Sequence, residues 1–444
     1  MALKTNVVRA ALAAVGIAAV VVAWARPLAT APNYDEEVYL ATMRELRHGH
    51  AIGDVFLSQP PGFGWFLDGV GLIATSLESV RGVMIGVALL GCLAAWFIGR
   101  RAGGPVGGAI AAGTLAIAPA WAVNASRLEA EVPSTTLAVA ALALAPRVAF
   151  LAGAAFALAV SIKLLAVSVL VPLVLIAHRD WVKLLLGAAT ASTVIVLSVV
   201  THLGQVWHQA VVFHVNGRKT ALPISDNLHR VVRFFDVRTP FAVLAGAAMI
   251  TAVVLLLSDA RFEWALWTWP LLASAALVLE RPLIDHHIDV LAAAWAVPIG
   301  ATLAAGVAQL RGRAQVAAVA FVGLAIAAGL AQQWKHNPAV PPSPDVNAAV
   351  ARLKTLLPPG SLIATDHQII AYRAGFDEPP SLVDLSFVRL ESGDLTHARL
   401  LEEAAGAKAF VIGRALRDDQ QLLAALSRRY RRRIVIGSIT IFTR

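Results

Sequence analysis

Apolar residues fill most of the first 334 positions in blocks of roughly 15 to 23, parted by short polar turns. A membrane-crossing helix needs about 20 such residues, somewhat fewer where neighbouring helices support it. The pattern predicts helices near 8–25, 80–99, 104–121, 133–146, 147–162, 164–178, 183–203, 240–258, 262–279, 288–310 and 314–333, about eleven crossings. The pieces between 133 and 178 are short because Pro146 and Lys163 divide one long apolar stretch.

Three segments break this pattern: 26–79, 204–239 and everything after 334. The last opens on Asn337-Pro338 and Pro341-Pro342-Ser343-Pro344, a stiff linker composition. Beyond it the rhythm is that of a soluble α/β unit. Helices are expected at 346–357, 397–406 and 417–429, and strands at 361–365, 409–412 and 434–443. The expected organisation is a transmembrane domain over 1–334, with 26–79 as its principal loop, and a small α/β accessory domain over 335–444.

Composition agrees with lipid as the main solvent, since 58% of the 444 residues are hydrophobic and only 15% are charged. The net charge of +9 matters less than its placement. With Lys4 and Arg9 cytoplasmic, Arg100–Arg101, Arg147, Arg179–Lys183, Arg261 and Arg311–Arg313 all fall in short cytoplasmic turns. Shifting the count by one helix would put every one of them outside. The N-terminus is therefore expected in the cytoplasm and residues after 334 outside it, in a multi-pass protein of the cytoplasmic membrane. Residues 1–31 also fit a cleavable signal peptide ending at Ala29-Thr30-Ala31, but a polytopic chain retains its first helix as an anchor. Cys92 stands alone in an apolar run and reads as a small buried hydrophobe.

The first loop reads Asn33-Tyr34-Asp35-Glu36-Glu37, then a stretch over 36–48 able to form an interfacial helix, Gly49 to stop it, and Gln59-Pro60-Pro61-Gly62 as a rigid turn. Val38, Leu40, Ala41 and Leu46 offer an apolar side, and Arg44, Glu45 and Arg47 a polar one. An acidic pair just past the first membrane helix, an amphipathic stretch and a Gln-Pro-Pro turn resemble the GT-C glycosyltransferases. The protein O-mannosyltransferase-like and lipid A aminoarabinose transferase-like members are the nearest in pattern. The motif covers about 30 residues of loop, while the likeness in layout spans the membrane region.

The resemblance implies Asp35 as principal catalytic carboxylate with Glu36 beside it, and a sugar donor carried on a polyprenyl phosphate. Transfer to a hydroxyl needs a base for the acceptor proton and positive or hydrogen-bonding groups on the departing phosphate. Taken alone, Asp35 and Glu36 would equally cap the interfacial helix. In Asn124–Pro133, Glu131 matches a second acidic position of the family, with Glu129 the alternative and Arg127 as a cation beside it. An Arg127–Glu131 ion pair along one helix face is the plain reading. Lys163 suits a lipid phosphate, or snorkels to the interface. His286 and His287, after Asp285, suit a donor contact, as does Gln59 in the loop. Adjacent histidines lack a third ligand at regular spacing, so no cofactor is assigned and a divalent metal stays open.

Segment 204–239 is basic and aromatic, with Trp207, His208, Gln209, His214, Asn216, Arg218, Lys219, Asp226, His229, Arg230 and Arg233. Either an anionic lipid, donor or acceptor, or simple contact with headgroups accounts for it. In the C-terminal region Thr365-Asp366-His367 ends a strand, where Asp is usually a turn or cap residue. Arg428, Arg429 and Arg431–Arg433 suit headgroups or solvent, and nucleic acid is not a partner. The expected activity is an inverting transfer of a hexosyl or pentosyl group from lipid phosphate to a protein, lipid or glycan acceptor on the outer face. A transporter or flippase of lipid-linked sugars, which would carry repeats and mid-membrane charges, and a non-catalytic relative are the competing readings.

Overall fold

The three-dimensional structure is a computed structural model, described for residues 2–217, 223–236, 238–258, 260, 262–280, 283, 285–337 and 339–444. Each predicted apolar segment is helical. Helix α1 (Ala2–Ala25) leads through a 3-10 turn to α2 (Tyr34–Arg47), and the chain bends by 84° between them. The bend turns α2 nearly at right angles to α1, and its apolar residues Val38, Leu40, Ala41 and Leu46 are buried within the protein. Helix α3 (Pro61–Ile73) completes the first loop. Helix α4 (Leu77–Ala116) contains two predicted spans, parted by non-helical backbone at Gly103 and Gly104. Gly104 has φ +64°, a conformation open to glycine, and Pro105 starts the second half.

Next come α5 (Pro119–Asn124), α6 (Glu131–Leu144), α7 (Ala149–Ile162), α8 (Leu170–Ile176) and α9 (Trp181–Ser198). Gly153 and Gly187 let α7 and α9 meet backbone to backbone, since a Cβ on either would strike the other helix's carbonyl oxygen. The second long segment folds as α10 (Leu203–Trp207), a π-turn, α11 (Phe213–Gly217) and α12 (Ile224–Arg233). The membrane region ends with α13 (Pro240–Leu257), α14 (Thr268–Leu279), α15 (Asp289–Gln309) and α16 (Gly312–His336).

Among the described residues five helices are long and apolar enough to cross a membrane, α4, α9, α13, α15 and α16, and the remaining apolar helices are shorter. Helix α15 is the buried centre of the bundle and packs along α4. Outer helices turn Ile250, Leu257 and Leu324 outward, an arrangement that needs lipid around it. Arg101 bonds the Ala143 carbonyl and pairs with Glu263 at 3.6 Å, so basic turns gather at one end of the bundle. About 36 Å of α4 separates them from Leu77 at the other end.

The C-terminal unit comprises α17 (Pro344–Leu356), β1 (Ile363–Thr365), α18 (Gln368–Ala374), α19 (Phe387–Glu391), α20 (His397–Glu403), β2 (Ala409–Ile412), α21 (Gln420–Arg429), β3 (Arg432–Ile436) and β4 (Ile439–Thr443). Its sheet has the order β1-β2-β4-β3, with β1 parallel to β2 and the other pairs antiparallel. It stands on the end of the bundle that carries α2, with α18 packed on α2.

Three local expectations change. The strand expected over 434–443 is a hairpin, because Gly437 (φ +54°) turns the chain between β3 and β4. Pro60-Pro61 begins a helix: Pro60 is the N-cap and Pro61 the first residue of α3, where a missing N–H costs nothing. The polar side of α2 faces the C-terminal unit, which buries Glu37 and Glu45 and draws the Arg44 guanidinium onto the carbonyls of Ala371, Tyr372 and Phe376.

Candidate active site

Asn33 caps α2, its side-chain oxygen accepting the Glu36 N–H at 2.8 Å while its Nδ2 donates to Glu129 Oε1 at 2.6 Å. Asp35, Glu36 and Glu37 lie in the first turn, where the N-terminal end of the helix favours negative charge. Successive helical residues point about 100° apart, so the three acids have three destinations. Glu36 is buried and takes a forked pair from Arg81, Nε to Oε1 at 2.8 Å, and also the Leu128 N–H at 3.3 Å. The same Arg81 caps the carbonyls of Pro27, Leu28 and Thr30. Glu37 turns to the C-terminal unit, meeting His367 Nδ1 at 2.8 Å, Arg414 and the Ile369 N–H. Asp35, half-buried, remains with the cluster inside the bundle mouth.

Tyr39, one turn on from Asp35, marks that cluster. Burial raises its phenol pKa well above the ordinary value, with the charges of Asp35, Glu131 and Glu129 adding to the effect. Gln59 donates to the Tyr39 hydroxyl at 3.3 Å. Glu131, at the start of α6, is paired with Lys163 from the end of α7, Oε1 to Nζ at 2.7 Å, both side chains buried. Asn124 bonds Asp289, the first residue of the central helix α15, and accepts from Arg127 at 3.3 Å.

A second group borders Lys163. His214 donates from Nε2 to the Ser58 carbonyl at 2.6 Å, since a carbonyl only accepts. Burial lowers its pKa, Ser58 offsets part of that, and Lys163 lowers it further. Glu280 and Asp384 also act on His214, and Glu280 Oε1 lies 2.9 Å from Nδ1 of the buried His287. His286 lies in the 3-10 turn Asp285–Ile288, and its side chain falls outside the described ones, as do Arg281, Arg218 and Lys219.

The structure thus brings Asp35, Gln59, Arg127, Glu131, Lys163 and His287 to one end of the bundle, contributed by five separate stretches of chain. Glu36 is among them in space, but its carboxylate is taken up by Arg81 and Leu128 and is closed to a substrate. Glu131 pairs with Lys163 rather than along its own helix with Arg127, and Lys163 is buried rather than snorkelling. Sequence reasoning misses Asn33, Tyr39, Arg81, Asp289 and His214 as parts of the site. A signal exists for Arg81 and Asp289, since an ionisable residue inside an apolar helix needs a partner. Segment 204–239 serves in part as a brace: Gln209 bonds both Gly53 O and Leu57 N, and His214 holds Ser58, so the first loop is fixed from two sides. His208 reaches Asp394 of the C-terminal unit at 2.7 Å. Asp366 is a cap, accepting from the N–H groups of Gly413, Arg414 and Leu416.

No family model matches the sequence, and no curated protein does. Solved structures do. ArnT from Cupriavidus metallidurans in the apo state superposes with a TM-score of 0.65 at 14% identity, over 100% of this chain and 98% of that one. The same enzyme bound to undecaprenyl phosphate gives 0.66 at 14% identity, over 97% and 98%. An Archaeoglobus fulgidus oligosaccharyltransferase in complex with Zn and sulfate gives 0.53 at 14% identity, over 92% of this chain and 69% of that one. Both neighbours are GT-C glycosyltransferases. Identity this low carries the fold and nothing finer, and the fold is the one that the loop motif resembles.

Proposed function

We propose that this chain, a multi-pass membrane protein with the GT-C fold, is an inverting glycosyltransferase that takes its sugar from a polyprenyl phosphate. One observation carries the reading. Carboxylates from α2 and α6 gather around the buried Tyr39, and a cation from α7 pairs with the α6 carboxylate, at the bundle end on which the C-terminal unit stands. The neighbour bound to undecaprenyl phosphate supports a lipid-phosphate donor, and both neighbours support sugar transfer as the reaction class.

In this reading the acceptor hydroxyl oxygen attacks C1 of the sugar while Asp35 takes its proton. The new O–C1 bond forms as the C1–O bond to phosphate breaks, and the polyprenyl phosphate departs with the electron pair. A single displacement inverts C1. Lys163, Arg127 and His287 would face the phosphate, whose charge grows as the bond breaks. Glu131 holds Lys163 in place until the phosphate shares it, and Gln59 fixes Tyr39 beside Asp35. Glu36 acts at one remove, locking the first turn of α2 through Arg81.

By the positive-inside rule the basic end of the bundle is cytoplasmic, which puts the pocket and the 335–444 accessory domain outside, with about eleven crossings. Charged groups gathered at one end favour an enzyme over a flippase, which needs a mid-membrane site. The test is transfer in membranes from a panel of radiolabelled polyprenyl-phosphate sugars, wild type against Asp35→Asn. Label reaching an acceptor in the wild type alone supports the assignment; equal transfer by both removes Asp35 from the base role.

A further inference from the structure

A second set of polar groups lies at the opposite end of α2, away from the Asp35 pocket. Glu45, His48 and His50 come from the last turn of α2 and the residues after it; Asp377 and Glu378 come from the segment beyond α18. Each of Glu45, His48 and Asp377 can offer one ligand atom such that all three lie within 4.8 Å of one another. His48 Nδ1 is 3.4 Å from Asp377 Oδ1, and His50 Nε2 is 3.6 Å from Glu45 Oε2. Ligands about 2.0–2.1 Å from a tetrahedral Zn²⁺ are about 3.3 Å apart, so these separations need little adjustment.

The backbone holds these groups before any ion arrives. His48 is the C-cap of α2, its N–H on the Arg44 carbonyl. Asp377 is strapped to the edge of β1, its carbonyl taking the Ile363 N–H at 2.9 Å and its N–H given to Ser361. Glu45 accepts the Glu378 N–H at 3.3 Å, which joins the two elements directly. These groups line a cleft of about 810 Å³ together with Glu403, Pro379 and Ser381.

Glu378 is the observation that asks for a ligand. It is 2% exposed, it lines the cleft, and its Oε1 has no hydrogen-bond partner among the described residues. Arg44 attracts it, but the Arg44 guanidinium is committed to three backbone carbonyls. Two buried carboxylates side by side, with imidazoles at the rim, are costly unless they share a proton or a cation.

We propose that Glu45, His48 and Asp377, with Glu378 and His50 beside them, bind one divalent cation of the zinc class that clamps the C-terminal unit onto α2. Mixed imidazole and carboxylate donors favour Zn²⁺ over Ca²⁺ or Mg²⁺, which take oxygen alone. The site is separate from the Asp35 pocket and does not depend on the reaction assigned to it.

Full-length, tag-free protein in detergent, stripped with chelator, is titrated with Zn²⁺ by calorimetry and with Co²⁺ by absorbance. One equivalent is expected, with tetrahedral Co²⁺ bands. His48→Ala and Asp377→Asn are each expected to weaken binding at least about 100-fold, while Asp35→Asn binds as wild type. His48 is exposed, so its replacement leaves folding alone; Asp377→Asn keeps shape and serves as a second arm. Bound Zn²⁺ is also expected to slow hydrogen exchange over 361–381 in wild type but not in His48→Ala. Binding unchanged in both ligand variants, or lost in Asp35→Asn, overturns the proposal.

Discussion

Glu131 and Lys163 meet at 2.7 Å, a buried ion pair that ties the start of α6 to the end of α7 beneath the mouth of the bundle. The pair explains how a lysine survives in an apolar stretch: its charge is neutralised on the spot. Removing one partner strands the other. Lys163→Met or Glu131→Leu alone is therefore expected to cost about 3–5 kcal/mol of stability. The double variant should recover most of that, because two apolar side chains of similar volume pack where the ions were. Transfer should stay lost in all three. Thermal unfolding in detergent beside a transfer assay separates these outcomes, and recovery of activity in the double variant would deny Lys163 a part in the chemistry.

Neighbouring acids at the start of α2 should respond in opposite ways. Asp35 is half-buried with its charge acting on Tyr39, whereas the carboxylate of Glu36 is consumed by Arg81 and the Leu128 N–H. Asp35→Asn is expected to lower kcat by about 10²- to 10⁴-fold, the range for losing a general base. Its stability should hold within about 0.5 kcal/mol. Glu36→Gln should instead lower the melting temperature, since it leaves Arg81 buried with a weakened partner. Equal melting temperatures for Glu36→Gln and wild type would show that the Arg81 fork is not what holds the loop.

Much of this arrangement is legible in the chain itself. The apolar blocks mark the five long apolar helices found among the described residues, because burying about 20 apolar residues leaves a chain few alternatives. Asp35 stands out through its company, an amphipathic stretch and then Gln59-Pro60-Pro61. Partnership is the part that local pattern does not encode. Glu131 has Arg127 four residues away, and local spacing favours that pair; Lys163, 32 residues on, wins because two helix ends converge. Likewise nothing local says that a folded unit more than 300 residues later covers the polar face of α2 and takes up Glu37 and Glu45.

Glu37 is one of the polar ties between α2 and that unit, reaching His367, Arg414 and the Ile369 N–H. Glu37→Ala should loosen the unit without unfolding it, since one face of the sheet packs on a core of its own. Faster hydrogen exchange over 363–374 and 413–416, with exchange in α15 unchanged, is the expected pattern. Uniformly faster exchange across the chain would mean that the two parts unfold together.

His214 supplies a pH dependence whose sign can be worked out. Burial holds its pKa below the ordinary value of about 6.5, the Ser58 carbonyl opposing and Lys163 reinforcing the shift. Below about pH 6.5 the unfolded chain therefore binds more protons at this position than the folded one, so stability rises with pH through that window. The contribution is complete above pH 6.5 and fades as the pH falls toward the lowered folded value. His214→Gln keeps a donor for Ser58 but cannot titrate. The melting temperature of wild type is expected to fall more than that of His214→Gln between pH 7.5 and pH 5. Parallel melting curves for the two proteins would mean that the imidazole takes up its proton without hindrance.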